Sequence, residues 1–144
     1  MVANVDWFFI SHRLCIAEEA QKHGWTVIVA CEDTGRKEEI EKVGIQFVDF
    51  RFSRSGTNPF SELETLRAFY RLYKNIKPTV VHHITLKPVI YGSVIARRLR
   101  IQGVVNAISG LGYNFTGNRI GQVQKIMIKL MQYGFNRSNI TLIF

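Results

Sequence analysis

Hydrophobic positions along this chain switch repeatedly between a two-residue and a helical period, and the alternation predicts an α/β fold. Val2–Asn4 is a strand stub that leads into the loop Asn4–Arg13. From Ser11 to His23, Leu14, Ala17 and Ala20 recur at helical spacing, and Gly24 supplies a stop. Thr26–Cys31 is a continuous apolar run, as in a strand buried on both faces. A short charged helix over Arg36–Val43 ends at Gly44, and strand Ile45–Phe50 follows. The polar loop Arg51–Pro59 opens a long helix, Phe60–Ile76, with Leu63, Leu66, Phe69, Tyr70 and Tyr73 on one face. After Pro78 come strand Val80–Ile84, helix Pro88–Arg100 and strand Gly103–Ile108. A glycine-rich loop, Ser109–Gly117, then precedes helix Ile120–Tyr133 and strand Ile140–Phe144. Strict alternation of strand and helix predicts a Rossmann-like, doubly wound parallel sheet of about six strands.

Length and composition narrow this reading. With 144 residues, 47% hydrophobic and 12% aromatic, the chain can bury one core and not two. The apolar runs are too short to cross a bilayer, and no leader segment precedes a cleavage site, so a cytoplasmic protein is expected. Cys15 and Cys31 lack metal or redox spacing and are expected to be reduced thiols. Without a leader, the sequons at Asn114, Asn136 and Asn139 are expected to be coincidental. The sequence stops within an apolar strand, an end that domains seldom leave uncovered, so a second domain is expected beyond it.

Charge changes the picture more. All 11 acids lie between Asp6 and Glu64, whereas residues 65–144 carry 12 Lys/Arg and no acid. Such asymmetry points one end of the domain toward anions: nucleic acid, lipid headgroups or phosphorylated substrates. A solvated basic surface, or one covered by an acidic partner domain, is the plainer alternative.

In doubly wound sheets the ligand lies beyond the carboxyl ends of the strands, where strand order reverses. With order 3-2-1-4-5-6, the walls of that crevice are Asn4–Arg13 and His82–Pro88. One wall carries Asn4, Asp6, Ser11, His12 and Arg13; the other carries His82, His83, Thr85 and Lys87. Three of the chain's four histidines fall on these walls. His82 and His83 point to alternate faces, so one of them is expected to be a packed histidine. Trp7, Phe8 and Phe9 fit either the core or an apolar wall for a sugar or lipid. Lys87 sits at a predicted helix N-terminus, where a cation opposes the dipole unless an anion is bound. The turn after the first strand lacks the glycines that a dinucleotide pyrophosphate requires, and no Gly-Lys-Ser/Thr phosphate loop exists. A dehydrogenase and a P-loop enzyme are thereby disfavoured.

The segments VANVDWFFISHRL, RSGTNP, HHITLKPVIYG and AISGLGYNFTG occur here in that order. In them the chain resembles the N-terminal domain of family 4 glycosyltransferases, closest to the bacterial type that builds capsule, O-antigen and other envelope glycans. The resemblance implies one half of a GT-B fold, with residues 1–144 on the acceptor side and a separate C-terminal domain binding the nucleotide sugar. It further implies transfer with retention to a lipid-linked saccharide, a donor of the UDP type, and no metal or other cofactor. His82 matches the first histidine of a His-x-His pattern common in the family, while the second position is Ile84. The resemblance implies His82 and His83 as the catalytic residues, with His83 or Thr85 covering the role of the second histidine. Asn4, Asp6, His12, Arg13, Thr85, Lys87, Gly110, Gly112 and Tyr113 are the expected acceptor-binding set.

The basic half then acquires a reading. Arg97, Arg98, Arg100, Lys125, Lys129 and Arg137, with Ile126, Met127, Leu130 and Met131 between them, predict a basic-apolar edge for an anionic membrane. Each Lys or Arg near such a surface gains roughly 1 kcal/mol. Nucleic acid is not an expected partner, because the aromatics do not interleave with the basic run. A non-catalytic subunit of a split glycosyltransferase is a further alternative.

Overall fold

The computed structural model describes residues 1–52, 59–108, 122–136 and 138–143. The chain divides into two compact units, Met1–Arg51 and Phe52–Phe144.

In the first unit β1 (Val2–Val5), β2 (Ile28–Glu32) and β3 (Gln46–Asp49) lie in the order β3-β2-β1 with parallel pairing. The register of β2 on β3 runs from Ile28 opposite Gln46 to Cys31 opposite Asp49. Val29, Ala30 and Cys31 are buried in succession, as a strand covered on both faces requires. Helices α1 (Asp6–Lys22) and α2 (Lys37–Lys42) connect the strands and contribute Phe9, Ala17 and Ile40 to the core. Gly24 and Gly44 end the two helices at φ 84° and 80°, left-handed positions where a side chain would be strained. The predicted loop Asn4–Arg13 does not exist as a loop. α1 begins at Asp6, directly after β1, for a reason that lies in the Asp6 side chain.

The second unit contains α3 (Pro59–Ile76), β4 (Val80–Ile84), a π-helical turn (Pro88–Gly92) continuous with α4 (Ser93–Arg98), β5 (Gly103–Ala107), α5 (Gln122–Phe135) and β6 (Ile140–Ile143). Its strands follow the order β4-β5-β6, again parallel, with Val80 opposite Gly103 and Ile84 opposite Ala107. The inward face of α3 is Thr65, Phe69, Leu72 and Tyr73, while Leu63 is 45% exposed. Of the predicted face, Phe69 and Tyr73 are buried and Leu66 and Tyr70 half-buried; it is shifted only at its start, where Leu63 is exposed and Thr65 turns inward. On α5, a Cβ at Gly134 would lie 2.9 Å from the Ser93 Cβ, so glycine permits the close approach of α5 to α4.

Candidate functional site

The two predicted walls belong to different units. In the first, Asp6 opens α1 and is fully buried. Its carboxylate accepts hydrogen bonds from the amides of Trp7 (2.6 Å), Thr34 (2.7 Å) and Arg36 (2.9 Å), and from the Thr34 hydroxyl. Burial alone would raise its pKa, but these donors, led by the Thr34 hydroxyl and amide, outweigh that effect and hold it below the ordinary value. Asp6 is therefore a brace for the turn between β2 and α2, and its expected contact with acceptor is corrected to an interior role. The same carboxylate supplies the negative charge that the α1 N-terminus favours. That explains why the helix starts here. Asp33, next in the turn, accepts from the Gly35 amide at 2.8 Å.

Trp7, Ser11 and His12 stand on the exposed side of the first two turns of α1, while Phe9 is fully buried. Trp7 is 48% exposed and meets Phe8 edge to face, 5.9 Å between centroids. Phe8 stacks on the His12 ring at 4.4 Å and 18°. The Ser11 hydroxyl donates to the Trp7 carbonyl at 2.8 Å. His12 Nδ1 lies 3.1 Å from the Phe8 carbonyl, which can only accept, so in the neutral ring Nδ1 carries the hydrogen and Nε2 is the acceptor. Arg13 is half-buried and donates to the His12 carbonyl; Asn4 is half-buried in β1.

In the second unit, His82 and His83 divide as strand alternation requires. His82 is half-buried, and His83 has no exposed surface. His83 Nδ1–H donates to Asn106 Oδ1 at 2.7 Å, and Nε2 accepts from the Tyr73 hydroxyl at 2.6 Å. Asn106 in turn donates to the Ser93 hydroxyl at 2.9 Å. Burial lowers the His83 pKa to about 3, against a smaller raising effect of the Asn106 bond. Burial also pushes the Tyr73 hydroxyl well above its ordinary value, so it remains a donor. With both nitrogens engaged and no path to solvent, His83 is the packed histidine of the pair, and its expected catalytic role is corrected accordingly. A Cβ at Gly92 would fall 2.4 Å from His83 Nε2, so the imidazole fills the space that a side chain there would take. Gly92→Ala is expected to lower stability by about 1–3 kcal/mol by displacing this ring. A urea midpoint unchanged from the parent would contradict the assignment.

Thr85 follows β4 at φ 76°, a rare conformation for a β-branched residue. Lys87 does stand at a helix start, and its anion is internal: Glu62 Oε1, on the first turn of α3, accepts from Lys87 Nζ at 2.9 Å. Both side chains are largely shielded, at 10% and 17% exposure, and the ammonium also lies 6.0 Å from the Tyr91 ring centre. The expected vacancy for a ligand anion at Lys87 is thus filled by the protein. Gly110, Gly112 and Tyr113 lie outside the described residues.

Spacing missed Tyr73, Ser93, Asn106, Gly92 and Glu62. One signal was present: Asn106 is a polar residue within the apolar strand Gly103–Ala107, and β4–β5 register sets it opposite His83. Among the described residues no three His, Cys, Asp or Glu side chains gather as a metal site would require, and no helix is long and apolar enough to cross a membrane.

A family model described as "Glycosyl transferase 4-like" matches residues 1–144, the whole chain. The chain belongs to this family. A search of curated proteins finds no match. Among solved structures, the crystal structure of Acinetobacter baumannii MurG is similar, at 17% identity and a TM-score of 0.55. The alignment covers 90% of this chain and 40% of that one, so the chain spans about two fifths of its length. At that identity the likeness shows the fold, the Rossmann-like α/β fold of the GT-B glycosyltransferases.

The charge of this glycosyl transferase 4-like chain is concentrated in its second unit, where 13 Lys/Arg face only Glu62 and Glu64. Of the predicted basic-apolar edge, Arg98, Arg100, Lys125, Lys129 and Ile126 are exposed, but Met127 is buried. Arg97 binds the Tyr133 carbonyl and lies 4.2 Å from that ring's centre, joining α4 to α5. Arg137 lies outside the described residues. A hollow of about 210 Å³ between α3 and α4 is lined by Leu66, Arg67, Tyr70, Arg71, Ile95 and Arg98.

Proposed function

We propose that this chain is the N-terminal, acceptor-binding half of a retaining glycosyltransferase that moves a sugar from a nucleotide sugar to a lipid-linked envelope saccharide. The observation that carries the reading is the family match across residues 1–144. In this reading His82 is the catalytic residue and His12, Arg13, Asn4 and Thr85 serve the acceptor, while Asp6, His83 and the Lys87–Glu62 pair hold the framework around them. The nucleotide diphosphate, of the UDP type, is held by a C-terminal domain, which stabilises the charge of the leaving group. No metal or other cofactor takes part.

The enzyme works at the cytoplasmic face of the membrane. The exposed Arg98, Lys125, Ile126 and Lys129 support that location, since basic side chains around apolar surface suit an anionic bilayer. Full-length protein is expected to float with phosphatidylglycerol vesicles at low salt and to remain behind with phosphatidylcholine. Equal behaviour toward both lipids would remove the membrane from the proposal.

Transfer itself is tested by incubating the full-length protein with a panel of UDP-sugars and a polyprenyl-diphosphate saccharide. The expected result is nucleotide release coupled to a lengthened lipid-linked glycan with retained anomeric configuration. The 1–144 chain alone is expected to give no turnover. Turnover by 1–144, or an inverted product, would overturn the assignment.

A further inference from the structure

We infer that the hollow between α3 and α4 is a phosphate site, in which the guanidinium groups of Arg67, Arg71 and Arg98 share one phosphate or diphosphate anion. All three side chains line this one hollow of about 210 Å³, beside Leu66, Tyr70 and Ile95. Each of the three is exposed, and among the described residues none has an ion pair, a side-chain hydrogen bond or a ring contact. Arg13, Arg36, Arg51 and Arg97 are all engaged. Arg13 donates to the His12 carbonyl, Arg36 pairs with Glu39, Arg51 with Asp49, and Arg97 binds the Tyr133 carbonyl. Of the described arginines left over, Arg100 alone lies elsewhere.

Nothing in the unit offsets this charge. Its two acids are Glu62, which is bonded to Lys87, and Glu64, which stands one turn before Arg67 and makes no ion pair with it. Arg67 and Arg71 are themselves one turn apart on α3, a spacing at which like charges destabilise a helix. Arg98 is in the last turn of α4, where a cation suits the helix dipole. Arg67 and Arg71 lie in the middle of α3 and have no such reason to be there. A shared anion supplies one. A carboxylate presents two oxygens in one plane, whereas a phosphate presents oxygens in several directions and more charge, the better match for three guanidinium forks. The volume suits the anionic group by itself, since pockets for drug-sized molecules run from about 300 Å³ upward. The site is also separate from the transfer crevice. α4 runs against the strands, so Arg98 lies toward their amino ends, opposite to the end where α/β folds place ligands.

The test is isothermal titration of full-length protein with inorganic pyrophosphate at low salt, with excess UDP present to occupy any nucleotide site. One saturable equivalent is expected. Arg67→Gln, Arg71→Gln and Arg98→Gln should each weaken it about tenfold or more, the worth of a charge-assisted hydrogen bond. Arg71→Lys keeps the charge but loses the fork, and should weaken binding by a smaller factor. Lys129, an exposed cation on α5, does not line the hollow, so Lys129→Gln should leave the affinity unchanged. No saturable binding, or a loss that Lys129→Gln reproduces, would overturn the site. A second arm reads the source of the phosphate. Vesicles containing phosphatidic acid should compete with pyrophosphate if a lipid headgroup fills the hollow, and should leave the titration unchanged if a soluble phosphate does; either result keeps the site and names its source. The site does not depend on the transfer reaction, so its failure leaves the glycosyltransferase reading standing.

Discussion

Asp6→Ala is expected to lower the stability of the folded chain by about 3–4 kcal/mol, because three amides and a hydroxyl lose their common acceptor in a site closed to water. The amides of Trp7, Thr34 and Arg36 all point at this one carboxylate. Two of them belong to the turn after β2 and the third to the first turn of α1, so the side chain joins two connections of the first unit. Asp6→Asn keeps one oxygen but brings N–H groups toward amide donors, and its effect should fall between alanine and the parent. Urea unfolding measures both; a lowered midpoint at unchanged slope is expected. The pH dependence has a definite sign. A carboxyl whose folded pKa lies below the ordinary 3.8 contributes fully above that value and loses its contribution as pH falls through the folded one. The gap between parent and Asp6→Asn should therefore narrow in acid. A loss below about 1 kcal/mol for Asp6→Ala would mean that water replaces the carboxylate.

Asp6 also shows what sequence reading can and cannot reach. Strand Val80–Ile84 is legible to the residue, because Pro78 breaks the chain before it and the β-branched Val80, Val81 and Ile84 frame it. The helix stops at Gly24 and Gly44 are legible for the same kind of local reason: both adopt the left-handed conformation that glycine tolerates. The start of α1 is not. Val5 precedes the helix and makes no side-chain cap, and Trp-Phe-Phe-Ile offers little helix propensity. What settles the start is a carboxylate bonded to amides 28 and 30 residues away, information that local spacing does not contain.

The candidate site divides along the same line. That histidines gather after the first and fourth strands is visible as a pattern, and so is the rule that His82 and His83 face opposite ways. Which of them is interior depends on Tyr73 and Asn106, which lie 10 and 23 residues from His83. The anion expected beside Lys87 is real in electrostatic terms, since a cation at a helix start needs a counter-charge. The counter-charge is Glu62, one of the last two acids before the basic half begins. Spacing within a motif identifies reactive residue types; only the fold decides which of them it uses for itself.

The buried network around His83 carries a strong expected pH dependence. In the unfolded chain the imidazole titrates near 6.5, while in the fold burial holds it at about 3, so between these values the unfolded state binds a proton that the folded state refuses. Stability is therefore complete above pH 6.5 and is lost as pH falls, by about 1.4 kcal/mol per unit, for a total of roughly 4–5 kcal/mol by pH 3. The direction is fixed by geometry. A protonated ring would carry a hydrogen on Nε2 that faces the Tyr73 hydroxyl, and Tyr73 would have to give up its donor role without a carboxylate to balance the charge. His83→Gln cannot take up that proton. It should cost stability at neutral pH, by loss of ring packing and of the Tyr73 bond, yet its stability should fall less steeply between pH 6.5 and 4. Urea midpoints measured across this interval decide the matter, with the parent expected to lose one proton's worth of slope more than the variant. Parallel slopes would show that His83 protonates within the fold and that the Tyr73–His83–Asn106 chain opens at little cost.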